Sequence, residues 1–338
     1  MGFAVTDWAN ADTAHYLSVL SSPWYRIVVE LQDSVVSGSH EFWRNTGAKH
    51  VLLPITTGSI SSPMGLGSDS TPVKVNLMGI DTYLADSMQF GLEYACRLAE
   101  HGAFYIMPSF RGEDCDRTHL AQFFHSEAEI PGGLEDVMLV VERYIRSISA
   151  VILEKHSDSI RSIAGTLTHI QNLLALSGRF PRITFDEAAG YLSYDPQYVK
   201  LCVDGNYALT REGERKLMRE ISPVLWLTHF HHLSVPFYQA VDANDNRLAL
   251  AADLLMGPGE IVGCGERHMD GEGVLSALAR HGVEPKQYDW YVRMKQEFPL
   301  KTAGFGLGIE RFLMWVMVHD DIRDFQIMPR VNGVNIVP

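Results

Sequence analysis

Basic residues are in short supply in this sequence, where 28 lysines and arginines stand against 41 aspartates and glutamates and the formal net charge is −13. Proteins that bind nucleic acids owe much of their affinity to lysines and arginines that neutralise phosphates. The charge balance therefore disfavours a nucleic-acid-binding protein, although a local basic patch is compatible with it.

Cysteine is also scarce, and Cys96, Cys115, Cys202 and Cys264 form no CxxC pair. Such scattered cysteines are typical of reduced thiols in a cytoplasmic protein. No apolar run approaches the roughly 18 residues that a membrane-spanning helix needs, and the N-terminus lacks the basic-then-apolar pattern of a secretion signal. The composition predicts a cytoplasmic globular protein, and 338 residues suffice for one large domain or two ordinary ones.

Glycine, in contrast, is concentrated near the C-terminal end, where Gly304, Gly306 and Gly308 alternate with apolar residues. An extended segment of this kind lets a ligand approach the backbone closely. Arg311 follows at the start of an apolar run, residues 312–318, that is long enough for a buried helix. Its planar guanidinium suits a phosphate. The alternative is tight packing of a strand against a helix without any ligand.

A second candidate segment begins at a strand predicted over residues 104–108 and continues through a charged loop. Its candidate site residues are Arg111, Glu113, His119, Phe123 and Glu127, and the segment ends at a further acidic position, Glu129. The alternative for Arg111 and Glu113 is a surface salt bridge, which contributes little to stability.

A third segment is a predicted hairpin with a Gly-Pro-Gly turn at residues 257–259. Asp253 lies on the first strand, Glu260 opens the second, and Arg267 follows after another seven residues. Two carboxylates on one hairpin converge easily, and their hard oxygen ligands suit Mg²⁺. Gly263 and Gly265 are expected to keep the second strand bare for a ligand. The alternative is a solvated hairpin without a metal.

The remaining pattern predicts further elements. Apolar residues at three- and four-residue steps indicate a helix over 25–43 that Gly47 ends. We also predict the following: strands at 50–55, 73–77 and 82–84, a loop over 57–72, helices at 87–101 and 135–154, a strand leading into a capped helix at 181–188, and a helix opened by Thr210.

Three nearby histidines, His229, His231 and His232, raise the alternative of a metal site. Strand alternation would place His229 and His231 on one face. No cysteine or carboxylate lies beside them at the spacing of zinc ligands, so ordinary histidines are the favoured interpretation.

These blocks together resemble the class II aminoacyl-tRNA synthetases, with most similarity to the aspartyl and asparaginyl branch. Residues 304–330 resemble motif 3 and residues 111–129 resemble motif 2, while the N-terminal helix and the strand ending at Pro54 resemble motif 1. The resemblance implies an α+β (α/β) fold with an antiparallel six-stranded sheet flanked by helices. It also implies a single catalytic domain over 1–338, with a motif 1 dimer region at 1–55 and a variable insert at 155–225.

The resemblance also implies roles for individual residues. Arg111 would bridge the α-phosphate of ATP and the carboxylate under attack, and Arg311 would assist it. The other ATP-binding residues would be Glu113 at the adenine amino group, His119 at the β- and γ-phosphates, Phe123 stacked on adenine, Glu260 and Gly308. The amino acid would be held by Ser87, Gln89, Glu127, Arg267 and Gly304, and Mg²⁺ by Asp253 and Glu260.

Some positions depart from the family pattern. Thr118 stands where an arginine usually precedes the histidine, and Arg117 lies one place earlier. Gln122 replaces the usual glutamate, and Met88 replaces a glycine or proline. These departures concern contacts to the triphosphate and the acceptor rather than ATP binding itself.

Motif 1 starts near residue 24, which leaves no room for the N-terminal anticodon-binding barrel of the tRNA enzymes. The layout is most similar to the asparagine synthetase-related paralogue of asparaginyl-tRNA synthetase. We therefore expect a homodimer without tRNA that uses ATP and Mg²⁺ to adenylate aspartate and forms an amide with ammonia or a small amine. The alternatives are aminoacyl transfer to tRNA or another acceptor, and a non-catalytic sensor of amino acid or ATP.

Overall fold

The computed structural model describes residues 6, 8, 13–62, 70–202 and 205–336. Its centre is a large mixed sheet of eight strands within this described part of the chain. From edge to edge the strands are β1 (Lys49–His50), β5 (Ala103–Phe110), β6 (Gln122–Pro131), β13 (Thr302–Gly308), β12 (Gly259–Glu266), β11 (Ala251–Met256), β10 (Val224–Thr228) and β7 (Arg182–Thr184).

The interior of this sheet is antiparallel from β5 to β10. These are the six strands that the resemblance implies. The two edge strands are additions, because β1 pairs in parallel with β5 and β7 pairs in parallel with β10. Two smaller sheets accompany it, one of β2 (Thr56–Thr57), β4 (Ile80–Leu84) and β3 (Val73–Leu77), and one of β8 (Val199–Leu201) and β9 (Tyr207–Leu209).

The helices surround the sheet. They are α1 (His15–Ser21), α2 (Pro23–Thr46), α3 (Gln89–Cys96), α4 (Leu134–Ala164), α5 (Thr168–Ala175), α6 (Phe185–Tyr191), α7 (Arg211–Glu220), α8 (Gly271–His281), α9 (Asp289–Glu297) and α10 (Ile309–Met317). No helix in the described ranges is both long and apolar enough to cross a membrane.

The main core lies where α2 and α4 pack together and α4 covers strands β11 to β13. Trp43 of α2 stacks on Phe104 at a centroid distance of 5.6 Å and on Phe305 at 5.9 Å. Tyr144 of α4 joins the same cluster, and its hydroxyl is satisfied by Ser39 and Ser126. These large buried rings supply much of the apolar area that holds helices and sheet together.

Several predicted elements are confirmed. The helix expected over 25–43 is α2, which Ser22 caps and Gly47 ends at a φ of 85°. A side chain at Gly47 would also contact His101, so glycine is required there for two reasons. Thr184 and Thr210 accept hydrogen bonds from the first turns of α6 and α7 as N-caps.

Other boundaries were wrong. The strand expected at 50–55 is only β1, with one further backbone bond from Val51 to Phe104, because the following residues turn away from the sheet. The expected helix over 87–101 ends at Cys96, and the one expected over 135–154 continues to Ala164. In the expected loop over 57–72, Thr57 belongs to β2, and residues 63–69 lie outside the described residues.

Candidate active site

A cleft of about 560 Å³ lies over the middle of the large sheet. Strand register explains its floor, because Gly306 pairs with Glu127 on one side and with Gly263 on the other. The absence of side chains at Gly306 and Gly263 keeps the floor low. The cleft brings together these predicted site residues: Ser87, Gln89, Arg111, Glu113, His119, Phe123, Glu127, Asp253, Glu260, Arg267, Gly308 and Arg311.

One predicted site residue, Gly304, does not line the cleft. A side chain there would collide with the carboxylate of Glu129. Gly265 has a similar role, since a side chain there would collide with the Gln239 amide rather than with a ligand, which corrects the expectation for this glycine. Both glycines thus make room for neighbouring polar side chains.

Arg111 and Glu113 form one end of the cleft and carry unused hydrogen-bonding capacity. The Arg111 guanidinium carbon lies 5.5 Å from the centre of the Phe123 ring. Glu113 accepts the Thr71 backbone N–H at 2.7 Å through Oε1. Arg111 Nε and Glu113 Oε2 are buried and have no hydrogen-bond partner among the described residues. Buried polar atoms without partners are costly, so this end fits a polar, aromatic ligand such as a nucleotide.

Arg311 lies half-buried in the first turn of α10, and its neighbours fix its position. Its Nη1 donates to the backbone oxygen of Glu260 at 2.9 Å. The preceding residue, Glu310, is buried and accepts from the Phe124 N–H at 3.1 Å and from Gln326 Nε2 at 2.7 Å. Burial raises the pKa of Glu310 despite these bonds. Glu310 thereby ties α10 to β6 and aims Arg311 into the cleft.

Asp253 and Glu260 converge over Gly263, as the hairpin pattern predicts. A Cβ built on Gly263 would lie 3.1 Å from Glu260 Oε1 and 3.6 Å from Asp253 Oδ1. Burial, and then the nearby Glu260 and Glu214 carboxylates, raise the pKa of Asp253 well above its ordinary value. This concentration of carboxylate oxygens around open space fits a divalent cation.

The two carboxylates are nevertheless an incomplete metal site. In the described part of the chain, no group of three or more His, Cys, Asp or Glu side chains is arranged to hold a metal ion. Mg²⁺ in nucleotide enzymes is commonly bound by one or two carboxylates together with substrate phosphates. The donor set therefore fits Mg²⁺ that arrives with ATP.

The alternative of a metal site at His229, His231 and His232 is not supported by the described residues, which contain no such metal-binding group, or by the backbone geometry. β10 ends at Thr228, and His229 has a φ of 56°, so His229 and His231 do not alternate along one strand. His232 is buried and hydrogen-bonds through Nε2 to the Gln239 backbone oxygen at 2.9 Å. These histidines support the loop that leads to Gln239.

Glu127 is held in a fixed position on β6. Ser87 Oγ donates to its Oε2 at 2.6 Å, and the Tyr105 hydroxyl donates to the same oxygen. His125 Nδ1 lies 2.9 Å from its Oε1. Burial alone would raise the pKa of Glu127, but His125 and the hydroxyl donors lower it below its ordinary value. An ionised carboxylate held this way can accept from the α-ammonium group of an amino acid.

The deep end of the cleft contains a buried ion pair between Arg267 and Glu129. Arg267 donates through Nε and Nη2 to Glu129 at 3.2 to 3.3 Å, and through Nη1 to Gln239 Oε1 at 2.9 Å. The exposed fractions of the two charged side chains are 3% and 0%. Burial raises the pKa of Glu129 to about 7, with Arg267 opposing the rise and Glu93 adding to it.

A second buried pair lies behind the first. Lys295 Nζ lies 2.5 Å from Glu93 Oε2 and donates to the His268 backbone oxygen at 2.6 Å. Tyr291 donates to both Glu93 oxygens at 2.8 and 2.9 Å. Sequence reasoning missed Glu93, Tyr291 and Lys295 because the partners are about two hundred positions apart and no local pattern marks them.

The loop after β5 differs from the expected pattern in a physical way. Arg117 does not reach the cleft, because its Nη2 pairs with Asp320 Oδ2 at 2.5 Å. Thr118 donates its hydroxyl to Asp116 Oδ1 at 2.7 Å, and His119 Nδ1 lies 3.1 Å from the same oxygen. Of these three loop residues, only Thr118 and His119 line the cleft.

Comparison with known proteins identifies the family of the chain. The family model for tRNA synthetases class II (D, K and N) matches residues 11–332. The asparagine–tRNA ligase of Pyrococcus furiosus is 30% identical over 316 residues, covering 92% of this chain and 70% of that protein. The crystal structure of asparaginyl-tRNA synthetase from Pyrococcus horikoshii complexed with asparaginyl-adenylate superposes with a TM-score of 0.86 at 27% identity, covering 96% of this chain and 73% of that one. The chain therefore belongs to the class II tRNA synthetases of the D, K and N group and is a ligase of that type.

Proposed function

We propose that this chain activates asparagine with ATP to form an aminoacyl adenylate, as a paralogue of the asparaginyl-tRNA synthetases. The observation that carries the choice of amino acid is the pairing of Arg267 with Glu129. It replaces our expectation of aspartate, which rested on an arginine in need of an anion. Arg267 already has one.

The charge of the residues at the deep end of the cleft favours a substrate amino acid with an uncharged side chain. Arg267 and Lys295 are balanced by Glu129 and Glu93, and Glu127 adds a further negative charge. A substrate carboxylate would therefore enter a pocket with no excess of positive charge, at a desolvation cost that nothing there offsets. An amide oxygen needs only a hydrogen-bond donor. Arg267 keeps one N–H on each of Nη1 and Nη2 for that purpose.

The adenylation chemistry follows from the other end of the cleft. The α-carboxylate of the amino acid attacks the α-phosphorus of ATP, and pyrophosphate leaves. Arg111 and Arg311 flank the cleft where charge develops on the phosphate oxygens, and preorganised donors at such a place stabilise the transition state. Mg²⁺, when bound by Asp253 and Glu260, would neutralise charge on the leaving phosphates. Glu113 and Phe123 would hold the adenine by hydrogen bonding and stacking.

Transfer of the aminoacyl group would complete the reaction, and the similarity to asparagine–tRNA ligases favours tRNA as the acceptor. The second candidate acceptor is a small amine. In that case the chain would adenylate aspartate and form an amide with ammonia or a small amine, as our sequence-based hypothesis states. Two observations favour a small amine over tRNA. The net charge is −13, and Arg117 pairs with Asp320, which leaves the loop beside the cleft less basic.

We also propose that residues 1–338 act as a single catalytic domain in a cytoplasmic homodimer that uses the α2 and β1 region as its interface. Free Cys96, Cys115, Cys202 and Cys264 support a reducing compartment. Leu52 and Ile55, which follow β1, are exposed apolar side chains and support this interface.

The test is amino-acid-dependent exchange of pyrophosphate into ATP, measured at pH 8 with each standard amino acid. We expect asparagine to give the fastest exchange, and Arg111→Ala to lower it by roughly a hundredfold because a transition-state donor is lost. Product analysis with total tRNA, and separately with aspartate plus ammonium, then identifies the acceptor. Exchange with aspartate alone, accompanied by free asparagine as product, would contradict the proposal and restore the amide-forming alternative.

A further inference from the structure

One face of helix α7 lies beside the β11–β12 hairpin, which carries Asp253 and Glu260. Glu214 lies on this face, and its Oε2 is 2.5 Å from the point where a Cβ on Gly259 would lie. The helix is therefore pressed against the turn of the β11–β12 hairpin. Arg211, three residues before Glu214, lies on the same side of the helix. It consequently sits at the end of the cleft that holds the metal-type carboxylates.

The guanidinium of Arg211 reaches the mouth of the cleft. Its Nη2 lies 3.4 Å from His119 Nε2, and His119 lines the cleft. Arg211 has no ion pair with any carboxylate in the ranges that the structure describes, whereas Arg117 is paired with Asp320 and Arg215 with Glu212. The Arg211 guanidinium thus lies next to a cleft residue without a close ion pair of its own, and its electrostatic interaction with the Glu214 carboxylate is a longer-range one.

From this placement we propose that Arg211 binds the β- and γ-phosphates of ATP together with His119. The proposal rests on the ATP-dependent function proposed above and adds a residue that comes from the segment between β9 and β10. Arg111 and Arg311 serve the α-phosphate side, and Asp253 and Glu260 would act on the terminal phosphates only through Mg²⁺, since a carboxylate cannot donate a hydrogen bond to them. A direct hydrogen-bond donor from the protein would therefore add to what the metal ion supplies at the terminal phosphates.

The loop after β5 cannot supply these donors alone. Thr118 is uncharged, and Arg117 is held by Asp320 outside the cleft. His119 offers a single ring nitrogen toward Arg211, since its other nitrogen faces Asp116. A guanidinium is charged at every relevant pH and donates in a fork that matches two phosphate oxygens. Arg211 supplies that group from α7, next to His119 at the mouth of the cleft.

The experiment compares ATP with AMP, because only ATP has the terminal phosphates. Dissociation constants of both nucleotides in the presence of Mg²⁺ are measured by calorimetry for the unmodified protein and for Arg211→Ala, Arg211→Lys and Arg215→Ala. We expect Arg211→Ala to weaken ATP about tenfold, in line with the loss of a charged hydrogen bond, and to leave AMP unchanged. Arg211→Lys should restore part of the ATP affinity. Arg215→Ala removes an equal charge one turn away and should change neither constant.

The outcomes separate this inference from the proposed function. Equal ATP affinities for the unmodified protein and Arg211→Ala would overturn the Arg211 assignment alone, and so would equal losses for ATP and AMP. Failure of the unmodified protein to bind ATP would overturn both proposals.

Discussion

The carboxylate of Glu129 decides what the arginine beside it can recognise. Arg267 offers five N–H donors, and Glu129 with Gln239 occupies those on Nε and one each on Nη1 and Nη2. The sequence shows both charged residues, yet their pairing depends on β6 and β12 both flanking β13. Gly304, on the strand between them, makes the room.

We predict that Glu129→Gln shifts the amino-acid preference from asparagine toward aspartate. The substitution keeps an acceptor oxygen but removes the charge that neutralises Arg267, so a substrate carboxylate becomes the natural partner of the guanidinium. Pyrophosphate exchange at pH 8 should show the asparagine-to-aspartate ratio of kcat/KM falling by about tenfold or more. Glu135→Gln, which breaks an exposed pair with Arg182, is the control and should leave the ratio unchanged. An unchanged ratio in Glu129→Gln would remove the electrostatic basis of the substrate assignment.

A second residue-level prediction concerns Glu260. Glu260→Gln keeps the shape of the side chain but weakens a hard-cation site, so the Mg²⁺ concentration for half-maximal exchange should rise several-fold while saturating Mg²⁺ restores part of the rate. Glu272→Gln on the exposed first turn of α8 removes the same charge elsewhere. The metal assignment fails if Glu260→Gln retains full activity at limiting magnesium.

Among the secondary-structure elements, those whose signals are local were predictable. The Gly-Pro-Gly turn and the seven-residue steps place Asp253, Glu260 and Arg267 correctly on β11, β12 and just after it. The edge strand β1 was predicted too long because its end is set by pairing with β5, about fifty residues later. Likewise α4 outlasts its predicted end because tertiary packing against α2 continues to stabilise it.

The loop from His229 to Gln239 has a consequence for acid stability. His232 and His268 are buried, and their rings contact the Gln239 and Phe237 backbone oxygens. Burial lowers the pKa of His232 to about 3, with His281 and His268 adding to the effect, and lowers the pKa of His268 to about 4, with Lys295 adding to it. In the unfolded chain both would titrate near 6.5.

We therefore predict that stability declines as pH falls below about 6.5 toward 4. In that window the unfolded state binds protons that the native state does not, so the free energy of unfolding rises with pH. For His232 alone the loss at pH 5 is about 2 kcal/mol. Urea unfolding at pH 5 and pH 7 measures it, and His232→Asn should flatten the difference. His101→Asn, at an exposed position, is the control. An equal pH dependence in His232→Asn would contradict the assignment.

At the scale of the whole molecule, the sequence motifs predicted the residues at the nucleotide end of the cleft better than the buried charged residues at its deep end. Arg111, Phe123 and Arg311 are recognisable because each lies in a local pattern, and the fold brings them to one cleft. The Glu93–Lys295 pair cannot be recognised from the sequence, because its two residues lie on α3 and α9 and meet only in the folded protein. The same limit applies to Arg267, because its pairing with Glu129 is visible only in the fold and is the reason why we propose asparagine rather than aspartate.

The last prediction concerns assembly. Leu52, just after the edge strand β1, is 90% exposed, and Leu98, just after α3, is 78% exposed. Exposed apolar side chains of this size favour an interface with a partner, and about 800 Å² per partner is typical of a stable one. We expect the unmodified protein to be a dimer in light scattering at micromolar concentration, and the double variant Leu52→Glu with Leu98→Glu to be a monomer, since buried unpaired carboxylates oppose association. Met78→Glu is the matched control, because Met78 is 94% exposed at the β3–β4 turn and should not affect assembly. A monomeric unmodified protein, or a double variant that still dimerises, would place the interface elsewhere or remove it.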